Sequence, residues 1–70
     1  MDRLLVSSSD LASVGYDENS QILEIGFLDG SVYQYFDVPK NIYDGILNAS
    51  SKGTYFHEYI RDVYAYTKLN

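Results

Sequence analysis

The sequence has no cysteine and a single histidine, His57. A disulfide framework is therefore excluded, and a structural zinc site would lack its usual thiolate and imidazole ligands. No apolar run reaches the roughly 18–20 residues that a membrane-spanning helix needs, and the first residues lack the apolar stretch of a secretory signal peptide. We therefore expect a soluble, cytoplasmic protein that binds no metal, no other cofactor and no membrane.

Basic residues are also scarce, with 5 Lys and Arg against 10 Asp and Glu and a formal net charge of −5. This balance argues against a broad electrostatic surface for nucleic acid. Aromatic side chains are abundant instead, with 8 tyrosines and 3 phenylalanines among 70 residues. A chain of this length has little apolar surface to spare, so these rings must form much of one small core. We predict a single domain over residues 1–70.

Alternation of apolar and polar residues predicts two strands, over residues 11–16 and 21–27. Asp29-Gly30 separates the second strand from a third alternating run, residues 31–37. This dipeptide predicts a type I′ hairpin turn, because glycine readily adopts the positive φ that such a turn needs. The three runs together predict an antiparallel meander.

Two helices are predicted after the strands. Val38-Pro39 ends the third strand, because proline has no N–H for a sheet but suits the first turn of a helix. A first helix, capped by Asp37, is expected to run to about residue 49, and a second, capped by Thr54, to about residue 62. The apolar residues at helical spacing are Ile42, Tyr43, Ile46 and Leu47 in the first helix and Tyr55, Phe56, Tyr59 and Ile60 in the second.

The two ends of the chain show weaker patterns. Residues 4–6 predict a short extended lead-in, and residues 63–69 fit either an edge strand or an extended arm. The predicted fold class is α+β, a three-stranded antiparallel meander followed by two helices (β-β-β-α-α) on one face. The predicted core residues are Val14, Leu23, Ile25, Phe27, Tyr35, Ile46, Leu47, Phe56 and Ile60.

Three segments carry a family resemblance: residues 8–17, which end in Val-Gly-Tyr-Asp, residues 33–39 (Tyr-Gln-Tyr-Phe-Asp-Val-Pro), and residues 51–56 (Ser-Lys-Gly-Thr-Tyr-Phe) followed by Ile60-Arg61. Together they resemble the KTSC domain family over almost the whole chain. The resemblance implies a small domain of bacterial and phage proteins. A similar domain ends some lysyl-tRNA synthetases, which implies RNA binding. His57 replaces the family's usual asparagine, and this departure and the acidic charge weaken that implication.

The first candidate binding site is Lys52-Gly53-Thr54 at the start of the second helix, with Arg61 at its far end. Backbone amides at a helix N-terminus, together with a lysine, can receive a phosphate or a carboxylate. We favour a structural interpretation, in which Gly53 turns the chain and Thr54 caps the helix. Arg61 would then pair with a carboxylate or cover a tyrosine ring.

Tyr33 and Tyr35 form the second candidate site, because aromatic residues on a sheet face stack on bases in RNA-binding folds. We favour core packing for both, with the hydroxyls at the rim and an aromatic surface left on the other face of the strand. His57 lies one helical turn before Arg61 and forms a small polar edge with it. No nucleophile or acid is spaced to work with His57, so no catalytic residue is predicted.

These features predict a non-enzymatic interaction module that docks an unidentified protein partner through an aromatic sheet face or an edge strand. The alternative is an RNA-binding module that uses Lys52, Arg61 and surface tyrosines. An enzyme or small-ligand binder is disfavoured by the short chain and the absence of a cofactor motif. A homodimer, in which a second copy covers one face of the sheet, also remains open.

Overall fold

A computed structural model describes residues 1–70. Its elements are β1 (Arg3–Leu5), β2 (Leu11–Asp17), β3 (Ile22–Phe27), β4 (Val32–Tyr35), α1 (Lys40–Asn48), α2 (Lys52–Tyr59) and β5 (Tyr66–Lys68). The strands form one five-stranded sheet in the order β1-β2-β3-β4-β5. All neighbouring strands are antiparallel. Neither helix is long and apolar enough to cross a membrane.

The α+β class is confirmed, but the prediction of three strands is wrong because the meander has an additional strand at each edge. At one edge β1 pairs with β2, which places Leu4 opposite Val14. At the other edge β5 pairs with β4, which places Tyr66 opposite Tyr35. Each added strand has only 3 residues. Alternation over so short a segment does not distinguish a strand from an extended arm.

The hairpin between β3 and β4 is present, but its predicted turn type is wrong. Its loop spans residues 28–30, where the Gly30 amide donates to the Phe27 carbonyl over 3.0 Å and the Phe27 amide to the Ser31 carbonyl over 2.8 Å. Gly30 is the only residue of this loop with a positive φ, 92°, whereas a type I′ turn needs positive φ at both central residues. The Asp29 carboxylate instead accepts hydrogen bonds from the amide and hydroxyl of Ser31, which stabilises a longer loop.

Both predicted helix caps are also wrong. Asp37 does not cap α1: it adopts a left-handed φ of 57°, and Pro39 stands at the cap position without a side-chain hydrogen bond. The cap of α2 is Ser51, whose hydroxyl accepts from the Thr54 amide over 3.3 Å. Serine and threonine are both common N-cap residues, and Ser51 is the one that directly precedes the first turn of α2.

We expect Ser51→Ala to lower the free energy of unfolding by about 1 kcal/mol, because the amide of Thr54 loses its acceptor. Thr54→Ala is the matched control, since the Thr54 hydroxyl only accepts a hydrogen bond from Ser51 on an exposed surface. Urea denaturation of the two variants measures both effects. A larger loss for Thr54→Ala than for Ser51→Ala would contradict the assignment of the cap.

The hydrophobic core lies between the inner face of the sheet and the two helices. Its buried residues are Leu11, Val14, Leu23, Ile25, Tyr35, Val38, Ile46, Phe56 and Ile60. Of the predicted core residues, Phe27 and Leu47 are only partly buried. Leu11 and Val38 were not predicted, because Leu11 precedes an irregularity in the pairing of β2 and Val38 lies between a strand and a helix. Neither position belongs to a regular apolar pattern.

The outer face of the sheet carries a polar row across β1, β3 and β4. Nε of Arg3 lies 3.3 Å from a carboxylate oxygen of Glu24, and the Gln34 amide donates to the other oxygen over 2.9 Å. Gly15 and Gly26 provide the room for this row, because a Cβ at either glycine would collide with the Arg3 side chain. The middle of this face is therefore polar, and it is not the aromatic surface that the sequence predicted.

Candidate functional site

A pocket of about 620 Å³ opens beside α2 on the inner face of the sheet. The β3–β4 hairpin, β5 and α2 surround it. Its volume lies within the roughly 300–1,000 Å³ that is usual for ligand pockets. The aromatic residues that line it are Phe27, Tyr33, Tyr35, Phe56 and Tyr66. The exposed aromatic surface is thus on the same face as the core, as a continuation of it.

The aromatic floor of the pocket is assembled by strand geometry. Tyr33 and Tyr35 are two residues apart on β4 and so share a face, with ring centroids 6.4 Å apart. Tyr66 on β5 lies beside both, at 5.7 Å from each ring. Phe56 on α2 meets Tyr35 edge to face at 5.6 Å. These contacts hold the floor in place before any ligand binds.

Tyr35 belongs to both the core and the pocket. It is 4% exposed, and burial, with smaller contributions from Tyr33 and Tyr66, raises its pKa to about 12. The hydroxyls of Tyr16 and Tyr55 donate to backbone carbonyls, whereas the Tyr35 hydroxyl has no hydrogen-bond partner in the protein. Because no fully buried side-chain polar atom lacks a partner, this hydroxyl must face the open space of the pocket.

Arg61 and His57 form one wall of the pocket. Nη1 of Arg61 lies 3.2 Å from Nδ1 of His57. A guanidinium group can only donate, so Nδ1 of His57 is the acceptor in this contact. Arg61 forms no ion pair, since the one ion pair joins Arg3 to Glu24. It also covers no tyrosine ring, because the one cation–π contact belongs to Lys68. Neither of the structural roles predicted for Arg61 is therefore present.

The predicted anion site at residues 52–54 lies outside the pocket. The Lys52 ammonium donates to the carbonyls of Leu47 and Ala49, over 3.3 and 3.1 Å. Gly53 faces a carboxylate of the protein itself, since a Cβ there would lie 3.1 Å from Oδ2 of Asp10. Thr54 is exposed. The structure thus separates these three residues from the four site residues that line the pocket, namely Tyr33, Tyr35, His57 and Arg61.

Carboxylates occupy the rim of the pocket, at Asp10, Asp29 and Asp62. Hydrogen bonds from Ser31, and then the charge of Lys68, hold the pKa of Asp29 below its usual value. Nowhere in the structure do three His, Asp or Glu side chains converge as ligands for a metal ion. The rim therefore supplies negative charge around an aromatic floor.

Tyr66 is the pocket residue that sequence reasoning missed as a site residue. It is 57% exposed and reaches the floor only because β5 pairs with β4. The signal was the alternation of Tyr64 and Tyr66 in the tail, which would have placed Tyr66 beside Tyr35 had the edge strand been chosen over the arm. The tertiary contacts of Phe27 and Phe56 have no comparable signal in the sequence.

Comparison with known proteins gives consistent matches. The KTSC domain family model matches residues 7–64. An uncharacterized protein of Stutzerimonas stutzeri is 41% identical over 58 residues, which are 83% of this chain and 82% of that protein. A lysine–tRNA ligase of Trichormus variabilis is 42% identical over 55 residues, 79% of this chain. This chain spans only 10% of that ligase's length.

A crystal structure shows the same architecture. The KTSC domain protein from Yersinia pestis has a TM-score of 0.93 and 37% sequence identity, and the match covers 99% of this chain and 97% of that one. The resemblance seen in the three sequence segments is thereby confirmed. The chain belongs to the KTSC domain family.

Proposed function

We propose that this protein is a non-enzymatic interaction module that docks a segment of a protein partner in the aromatic pocket. The observation that carries the proposal is the open, preformed floor of aromatic rings, in which the Tyr35 hydroxyl has no partner of its own. Tyrosine at an interface offers a large apolar contact area and a polar tip at a small loss of conformational entropy. The half-exposed Tyr66 is the residue best placed to contact a partner.

The charge of the molecule indicates the kind of partner. The formal net charge of −5 and the rim carboxylates Asp10, Asp29 and Asp62 favour a segment with basic residues near its anchor. Such complementarity speeds association and rejects acidic competitors. A peptide of net positive charge with an aromatic or aliphatic anchor therefore suits both the rim and the floor.

RNA binding is the second candidate, and one observation favours it: the matching segment within a lysine–tRNA ligase. The placement of the basic residues counts against it. Lys52 already binds backbone carbonyls, and Arg3 is paired with Glu24. Arg61 is the one Lys or Arg that lines the pocket, and it shares that lining with Asp10, Asp29 and Asp62. Phosphate contacts of one arginine supply little of the affinity that RNA-binding proteins draw from charge.

A displayed library of random peptides tests the docking proposal. We expect the protein to enrich basic peptides with an apolar anchor, and we expect Tyr66→Ala to weaken their binding about tenfold or more, as loss of an interface tyrosine does. Tyr59→Ala is the matched control, because Tyr59 is also half-exposed, at 49%, but lies outside the pocket. Isothermal calorimetry on the selected peptides gives the affinities.

Three results would count against the proposal: no enrichment, equal losses for both tyrosine variants, or selected peptides that are acidic. A parallel NMR titration with a short single-stranded RNA pool, at low and then moderate salt, tests the second candidate. Shifts at Arg61 and Tyr33 that fade with salt, together with no peptide enrichment, would replace protein docking by RNA binding.

A further inference from the structure

Two hydrogen-bond donors in the pocket are free. The Arg61 guanidinium gives one of its five N–H groups to His57 and forms no ion pair, although the chain has 10 acidic side chains, so its other N–H groups are available. The Tyr35 hydroxyl, which faces the pocket, has no partner in the protein. The two groups are close enough that the positive charge of Arg61 acts on the pKa of Tyr35. A guanidinium without an ion pair and a hydroxyl without a partner in one pocket are the donors expected at an oxyanion site.

The chemistry of these donors favours a carboxylate. A guanidinium binds a carboxylate through two parallel hydrogen bonds, and a charged acceptor roughly doubles the strength of each bond. The hydroxyl of Tyr35 keeps its proton at neutral pH and can donate a third bond. The hydrogen bond to His57 leaves Arg61 fewer orientations, so less entropy is lost when a ligand binds.

The surrounding charges limit which anion fits. Asp10, Asp29 and Asp62 lie on the same rim, and their repulsion rises with the charge of the ligand. A phosphate group, whose own charge is close to −2, is therefore disfavoured relative to a carboxylate, whose charge is −1. A ligand that carries only positive charge would be repelled by Arg61. What suits the whole pocket is one carboxylate attached to an apolar or aromatic group that lies on the tyrosine floor.

We propose that the pocket binds the C-terminal residue of a protein partner, with Arg61 and Tyr35 receiving its terminal carboxylate and the tyrosine floor receiving its apolar side chain. This inference rests on the proposed docking function and names the anchor. A C-terminal phenylalanine or leucine carries a carboxylate and an apolar group in one residue, whereas an aspartate or glutamate side chain has no apolar group beyond its carboxylate. Basic residues that precede the terminus would meet the acidic rim.

The test uses a matched pair of probes, N-acetyl-phenylalanine and its amide, titrated into the isotopically labelled protein and followed by NMR. We expect the acid to bind at least about tenfold more tightly than the amide, since hydrogen bonds to a charged group are lost in the amide. We expect Tyr35→Phe to weaken binding of the acid several-fold and Arg61→Gln about tenfold, with binding of the amide changed little. Arg61→Lys should restore only part of the loss, because lysine lacks the planar fork.

Lys40→Gln provides the control for net charge, since Lys40 is exposed on α1 and lies outside the pocket. Equal binding of acid and amide would overturn the inference, and so would equal losses for Arg61→Gln and Lys40→Gln. Tyr35→Phe keeps the buried ring, so a native-like spectrum shows that any loss comes from the missing hydroxyl.

A second pair of probes distinguishes the source of the carboxylate. A basic peptide that ends in phenylalanine should bind more tightly than benzoate, and tighter binding of benzoate would overturn a protein C-terminus as the ligand. Failure of the acid–amide comparison while library peptides still depend on Tyr66 would overturn carboxylate recognition alone. Failure of both would overturn the docking function as well.

Discussion

Replacing Leu23 with alanine is expected to lower the free energy of unfolding by about 2–5 kcal/mol. Leu23 is fully buried and lies in the middle of the sheet, opposite Tyr16 on β2 and Tyr35 on β4. Neighbouring strands hold these rings in place, so the cavity left by the leucine can close only partly. A domain of this size has about 3.5–10 kcal/mol of stability in total. Urea denaturation followed by circular dichroism should therefore show a midpoint at a much lower urea concentration than that of the wild type.

Leu5→Ala provides the matched control for this loss. Leu5 is also on a strand of the sheet, but it is 88% exposed, so its replacement should change the free energy of unfolding by at most about 0.5 kcal/mol. Similar midpoints for the two variants would show that β3 does not form the centre of the core. An NMR spectrum of Leu23→Ala at low temperature would show whether the remaining folded protein keeps the Tyr35 environment.

Leu23 also illustrates what could be predicted from the sequence. The alternation in β3 places Leu23 and Ile25 on one face, and both are fully buried. This inference needs only local information, because the period of two is a property of the strand itself. The fold class and most of the core residues could therefore be predicted from the sequence alone.

The edge strands of the sheet and the residues of the site were harder to predict, because they depend on contacts between distant segments of the chain. β5 is recognised as a strand only through its pairing with β4, and with it Tyr66 reaches the pocket. Lys52 donates to carbonyls at the end of α1, which lack partners within the helix, and this contact depends on how the two helices are placed. The free state of Arg61 is likewise a tertiary property, since ten carboxylates in the sequence suggested a partner that the fold does not supply.

Tyr35 connects stability with the proposed function. Its ring is part of the core, while its hydroxyl faces the pocket. A rigid ring in the core positions the donor without loss of entropy upon binding. Removal of the hydroxyl alone is therefore the sharpest way to change the site without changing the fold, and Tyr35→Ala would change both.

The second large effect is expected at Gly45, in the middle of α1. An alanine there would ordinarily stabilise a helix by about 1 kcal/mol. In this fold a Cβ at Gly45 would overlap the hydroxyl oxygen of Tyr55 and lie 2.6 Å from its Cζ. Tyr55 crosses α1 at this point and donates to the Ile42 carbonyl over 3.1 Å. We expect Gly45→Ala to lower the free energy of unfolding by about 1–3 kcal/mol, because the ring must move and the hydrogen bond is lost.

The sign of this effect should reverse when Tyr55 is removed. In a Tyr55→Ala background the clash is absent, so adding Gly45→Ala should raise the free energy of unfolding by about 0.5–1 kcal/mol, the ordinary preference of a helix for alanine over glycine. Urea denaturation of the wild type, the two single variants and the double variant gives the coupling energy directly. A stabilising effect of Gly45→Ala in both backgrounds would mean that Tyr55 does not pack across α1. A destabilising effect in both would place the need for glycine in some contact other than this ring. Reversal would show that the helix needs a glycine at this position to seat Tyr55, and with it α2, which Arg61 closely follows.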